Sequence, residues 1–444
     1  MILIQNAELI NEGAVYKASV LIENERITAI YKETIPQEIL DKSTKIDAEG
    51  LWLLPGVIDD QVHFREPGLT HKGDIFSESR AAVAGGTTSF MDMPNTIPQT
   101  TTVEALNEKF EQASKESLAN YSFFIGATND NLDELKKEGA KRAAAVKLFM
   151  GSSTGNMLVD NSTTLEHIFS EIQMVIATHC ESEEVIQNNK EQYTKAFGDD
   201  LDISFHSKIR SSEACFASSS IAVELAKKHN SCLHLFHLST EKEMELLEAK
   251  PLKEKKITGE VCVHHLWFSD EDYARLGNRI KWNPSIKTKA DRDALRQALI
   301  DGKIDVVATD HAPHTWDEKQ GSCLKAASGG PMVQHALTVM LELHKQGVFS
   351  KELIVEKMAH APAELFNLKE RGYIREGYYA DLVLVDPNHS WTVEKENLLY
   401  KCGWSPLEGE TFSHKVVKTF VNGHLVYDNG QLNEGFKGKE LCYK

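Results

Sequence analysis

The first fifty residues place short apolar segments at 2–4, 20–22 and 27–30 between polar breaks such as Glu23-Asn24-Glu25-Arg26, a texture that predicts small antiparallel sheet. The same texture returns only near the other end. Ala380-Asp381-Leu382-Val383-Leu384-Val385-Asp386-Pro387 and Val416-Val417-Lys418-Thr419-Phe420-Val421-Asn422-Gly423 read as strands closed by Asp-Pro and Asn-Gly turns. Residues 1–54 and 371–444 are therefore expected to build one β module around a continuous inserted domain, residues 55–370.

Within the insert, eight β-rich runs fall at 57–63, 88–93, 121–126, 145–150, 174–179, 232–238, 257–265 and 305–310. The segments between them, 103–117, 212–229 and 289–299 among them, carry apolar spacing near the helical period. Eight βα units predict an α/β chain with a TIM (β/α)8 barrel and a small β-sandwich module formed by both chain termini. Counting strands does not by itself separate a closed barrel from a doubly wound open sheet.

The 444 residues are 41% hydrophobic and 26% charged, which excludes disordered and fibrous classes. With 49 basic against 66 acidic residues the net charge of −17 disfavours nucleic acid and anionic membrane surfaces, leaving a small-molecule partner. Seven cysteines without CxxC spacing read as reduced thiols rather than a disulfide framework. The opening Met1-Ile2-Leu3-Ile4-Gln5 has no basic leader region, and no apolar run is long enough to cross a bilayer. The expectation is a cytoplasmic protein.

Candidate chemistry gathers at the ends of the predicted strands. His63 ends the first, Lys147 lies in the fourth, His179 ends the fifth, His237 falls near the end of the sixth, and Asp310 closes the eighth. Barrel strands deliver their C-terminal ends to one mouth, so these five would converge there. Three imidazoles and a carboxylate suit zinc. A single strand histidine among 18 is more often a core residue than a ligand, and the weight lies in the joint placement. Lys147 stands in the apolar run Ala143-Ala144-Ala145-Val146-Lys147-Leu148-Phe149-Met150. A buried lysine shifts its pKa, is chemically changed to a carbamate, or snorkels to water.

These residues carry a resemblance. Pro55-Gly56-Val57-Ile58-Asp59-Asp60-Gln61-Val62-His63-Phe64-Arg65-Glu66-Pro67-Gly68 resembles the opening zinc motif of dihydroorotases in the amidohydrolase superfamily. Further matches follow in family order at Met93-Pro94-Asn95-Thr96, Val146-Lys147-Leu148-Phe149, Thr178-His179-Cys180-Glu181, Phe236-His237-Leu238-Ser239, Asn283-Pro284 and Ala308-Thr309-Asp310-His311-Ala312-Pro313-His314. The tail Gly377-Tyr378-Tyr379-Ala380-Asp381-Leu382-Val383-Leu384 resembles the strand that returns to the family's β module.

The resemblance implies one or two Zn2+ held by His63, a carbamylated Lys147, His179, His237 and Asp310, with Asp310 also the catalytic proton shuttle. It implies substrate contacts from Arg65, Asn95, Asn283 and His314, with backbone groups near Ser328 and Gly329. Arg65 suits a bidentate grip on a carboxylate. The bland alternatives are an ion pair of Arg65 with Glu66, turn chemistry for Asn95 and a plain flexible turn at 328–331. Gln61 stands where the family has the first histidine of His-x-His and is a weaker ligand. Lysine at position 147, where one bacterial class of the family carries aspartate, makes the pattern mixed.

The activity implied is reversible interconversion of N-carbamoyl-L-aspartate and L-dihydroorotate in pyrimidine biosynthesis. An allantoinase or dihydropyrimidinase-type amidase is the nearest alternative, and a non-catalytic scaffold, suggested by Gln61, is the other. A homo-oligomer is implied by the resemblance alone. Residues 316–325 read as a lid or an ordinary loop, the charge-rich runs 132–141 and 250–256 as solvated helix faces, and His264-His265 as supporting or structural residues at a strand end.

Overall fold

The computed structural model describes residues 1–151 and 157–444. Eight parallel barrel strands occupy Val57–Val62, Thr87–Asp92, Asn120–Phe123 continued by Ile125–Gly126, Val146–Phe149, Ile176–His179, Leu233–Leu235, Ile257–Cys262 and Val306–Ala308. Each pairs in parallel with the next. The third strand changes partner at Phe124, its first half pairing with the second strand and its last two residues with the fourth. The ring closes where His63 N donates to His311 O at 2.7 Å and Val62 bridges His311 in parallel.

Three predicted strands fall three or more residues short of the apolar runs that announced them. The sixth and eighth ladders stop before His237 (φ 39°) and Asp310 (φ 43°), because a left-handed residue cannot continue a ladder. The seventh stops at Cys262, and Val263–Trp267 is a short helix carrying His264 and His265. A short buried apolar run does not distinguish strand from helix by period alone.

The long helices follow from local chemistry. Ser212–His229 starts where the Ser211 side chain accepts from Ala214 N and ends at left-handed Asn230. The charge-rich runs form only single turns, at Leu132–Leu135, Glu138–Arg142 and Leu252–Glu254.

Both chain ends meet in one nine-stranded sheet, with Trp52–Pro55 between Ile2–Asn11 and Leu382–Asp386. Along that last strand Leu382 and Leu384 join the module's own core while Val383 and Val385 pack into the barrel's. Alternation therefore serves two buried faces, and no polar face is left to see in the sequence. Gly56 carries the chain from module to barrel, where a Cβ would lie 2.1 Å from Thr88 Oγ1. Among the described residues no helix is long and apolar enough to cross a membrane.

Candidate metal and substrate site at the barrel mouth

A cavity of about 720 Å3 opens at the C-terminal ends of the strands. All five ligand candidates, His63, Lys147, His179, His237 and Asp310, line it, as does Gln61. The substrate-side candidates Arg65, Asn95, Asn283, His314, Ser328 and Gly329 line it too. Arg65 (φ 70°), His237 and Asp310 are non-glycine residues in the left-handed region, where strain persists only if the surroundings hold it.

Hydrogen-bond partners set the orientation of the imidazoles. His63 Nδ1 lies 2.8 Å from Asn95 Oδ1, an acceptor, which places the ring proton there and turns a lone pair at Nε2 toward Asp310 Oδ1, 3.1 Å away. His179 Nε2 faces Glu181 Oε2 at 3.0 Å, leaving Nδ1 toward His237 Nε2 at 2.9 Å. Burial would raise the Glu181 carboxyl, but Arg210, His179 and Lys287 outweigh it and hold it at about 2, so it is an anion that fixes this tautomer. Burial, opposed by Asp310, lowers His63; burial, with His179 and Lys147 beside it, pushes His237 well below the usual imidazole range. Neutral rings are the ligand form.

At the His63–Asp310 pair an acceptor thus faces an acceptor, and His237 Nδ1 is buried with no hydrogen-bond partner. That donor set fits a metal better than it fits a hydrogen-bond network. It forms two pairs, His179 with His237 and His63 with Asp310. Among the described residues, donor triads within 4.8 Å occur only at Cys262, His264 and His265 and at Asp60, His234 and Glu260. Lys147 Nζ sits 4.0 Å above the Phe236 ring and 4.9 Å above that of Phe149. Burial, opposed by Glu260 and Asp310, lowers its pKa to about 8. Gln61 Oε1 accepts from the Cys262 thiol at 3.5 Å.

On the substrate side, Arg65 is 7% exposed and donates to Pro313 O at 3.0 Å, with Nη2 3.2 Å from His314 Nε2. Among the described residues no carboxylate pairs with it. Glu66 instead accepts from Ile75 N. Burial lowers the guanidinium to about 10, so it stays a cation. His314 is held neutral by burial and by Arg65, Lys72 and Lys319. Asn283 Oδ1 is buried without a partner. Asn95 spends its carbonyl oxygen on His63, a role the motif did not reveal. Gly329 (φ 124°) needs glycine, since a Cβ would lie 2.5 Å from Ala312 O. Its N–H donates to Lys281 O and its carbonyl accepts from Lys319 Nζ, so both backbone groups are already engaged.

Residues 316–325 do not line the cavity. Lys319, fully buried, ties this segment down by donating to the carbonyls of Lys281, Ala327 and Gly329. His264 and His265 are buried away from the lining, His264 stacked on Trp282 at 4.3 Å. Sequence reasoning missed Lys72, which lines the cavity with Nζ 3.1 Å from His314 Nδ1, and Glu181 with Arg210. Lys72 was findable as the next cation after Arg65, whereas the Glu181–Arg210 pair joins positions 29 apart and left only its place in the Thr178-His179-Cys180-Glu181 motif.

The sequence matches the amidohydrolase family over residues 52–426. It is 34% identical over 424 residues to a dihydroorotase of Halobacterium salinarum, covering 95% of each chain. It is also 34% identical over 419 residues to a dihydroorotase of Methanosarcina acetivorans, covering 91% of this chain and 88% of that one. Among solved structures, an L-hydantoinase (dihydropyrimidinase) from Arthrobacter aurescens superposes with a TM-score of 0.91 at 27% identity, covering 97% of each chain.

Proposed function

The chain belongs to the amidohydrolase family, and from that premise we propose that it is a zinc-dependent dihydroorotase, interconverting N-carbamoyl-L-aspartate and L-dihydroorotate in pyrimidine synthesis. The observation that carries this reading is Arg65. A buried cation that lines the cavity beside the ligand set and has no carboxylate of its own needs an anionic ligand. Dihydroorotate brings a carboxylate; a hydantoin or dihydropyrimidine ring does not.

His63, Lys147, His179, His237 and Asp310 would hold the metal. The chemistry a bound zinc supplies is Lewis acidity, which lowers the pKa of water from about 16 toward about 7 and polarises the ring amide carbonyl. Lys147 is suited to carbamylation because burial favours its neutral amine. That amine adds carbon dioxide through a new N–C bond and releases one proton, turning a neutral amine over two rings into a carboxylate. Asp310 takes the proton of the attacking water on its carboxylate and returns it to the ring nitrogen as the C–N bond breaks. Arg65, with His314 and Lys72 beside it, clamps the substrate carboxylate and fixes the ring against Asp310. Asn283 Oδ1 accepts from a ring N–H.

The likeness to the Arthrobacter enzyme favours a second reading, hydrolysis of a neutral cyclic amide. Arg65→Met separates the two. The dihydroorotase reading expects kcat/KM for dihydroorotate to fall about 10²–10³-fold, since a buried charged contact is lost. Unchanged turnover of dihydroorotate would remove its support.

A further inference from the structure

Beneath the cavity floor, Asp60, His234 and Glu260 point into the barrel and all are 0% exposed. They come from the first, sixth and seventh strands. His234 stands level with Lys147 through Ala177, and Glu260 follows Thr258, the residue opposite His234, by two positions on the same face. Both Asp60 oxygens, Glu260 Oε2 and His234 Nε2 are buried with no hydrogen-bond partner. Glu260 Oε1 is engaged by His237 N and the Cys262 thiol.

The ring proton of His234 can be placed. The Thr258 hydroxyl donates to Leu233 O at 3.2 Å, so its oxygen is left to accept, and His234 Nδ1 donates to it at 2.8 Å. Nε2 of the neutral ring therefore carries a lone pair, and it faces Asp60 Oδ2 at 3.4 Å and Glu260 Oε2 at 4.0 Å. Burial and the neighbouring Asp60 push the Glu260 carboxyl well above its ordinary range, so these three groups, turned on one point in a dry interior, call for a proton or a metal cation between them. A shared proton would draw nitrogen and oxygen to about 2.7–2.9 Å in hydrogen-bond alignment. The observed 3.4 Å lacks that alignment. It matches two ligands of one tetrahedral ion, which at about 2.0–2.2 Å from zinc stand about 3.3–3.6 Å apart, while the 4.0 Å to Glu260 Oε2 needs that carboxylate to draw in on binding.

We propose that Asp60, His234 and Glu260 form a second, fully buried site for a divalent transition ion of zinc type, distinct from the mouth site and deeper in the barrel. Two carboxylates and a neutral imidazole around a divalent ion leave no net charge in the interior, which suits a site closed to solvent. The proposal does not depend on what the mouth ligands hold, so it stands apart from the activity proposed above.

The test is anomalous diffraction on both sides of the zinc edge, using crystals of the full-length protein produced in zinc-supplemented medium. A peak bonded to Asp60, His234 and Glu260 is expected; a map with no peak there overturns the site, including the case of a shared proton. Zinc per chain gives the second readout. Asp60→Asn and His234→Gln should each hold one ion fewer than the unmodified protein, while His179→Asn keeps the inner ion. Zinc content unchanged in both triad variants overturns the proposal.

Discussion

Glu181 does not itself line the cavity, yet it decides which nitrogen His179 offers to it. Its carboxyl is held at about 2, against an ordinary 4.5. The ionised form therefore stabilises the fold in full above the ordinary value, and that contribution disappears as pH falls toward the folded value. Denaturant unfolding of metal-stripped protein between about pH 5 and pH 2.5 should show stability falling with acid, and a flatter profile for Glu181→Gln. Parallel profiles would contradict this role. Residues of this kind stay hidden in a sequence because their meaning lies in a partner brought close only by folding. The strand-end histidines were legible because barrel geometry assigns a place to every strand end. The pattern that singles out Lys147, a polar residue inside an apolar run, recurs at His234 in Leu233-His234-Leu235-Phe236, whereas Asp60 between Asp59 and Gln61, and Glu260 after Thr258-Gly259, stand in no such run.

Among the elements, the barrel strands and the helices Val103–Glu116, Ser212–His229 and Lys289–Ile300 fall within a few residues of their predicted runs. The misjudged ends are informative. At His237 and Asp310 the backbone leaves the ladder for a left-handed turn, and no apolar pattern encodes that departure. The segment after His314 offered two readings from sequence, lid or loop. Its buried Lys319 binds three carbonyls and thereby fixes Gly329 against the cavity. Lys319→Met removes one shared donor from those carbonyls, leaving Lys281 O only the Gly329 N–H, and loosens the 328–329 wall. A roughly tenfold rise in KM is expected, corresponding to about 1.4 kcal/mol of lost positioning, with kcat changed less. An unchanged KM would show that this segment does not shape the site.

On the scale of the whole molecule, the proposed anionic substrate needs a local field of positive sign in a chain of net charge −17. Arg65 and Lys72 line the cavity, and buried Lys281 and Lys319 stand behind its 328–329 wall. At distances beyond about 8 Å in physiological salt the remaining charge is largely screened. The terminal sheet holds the barrel's first strand through Gly56 and leaves the mouth open at the opposite ends of the strands. The proposed function needs one pairing of parts, a metal-ligand set and a carboxylate clamp around one substrate. The most direct test is to quantify zinc and, on that same preparation, measure kcat/KM for dihydroorotate beside dihydrouracil and hydantoin. Zinc-loaded enzyme should favour dihydroorotate by about 10³-fold or more, the discrimination a site gains by pairing an otherwise unmatched buried charge. Faster hydrolysis of either neutral ring, or bound zinc with no turnover of any of the three, would contradict the account.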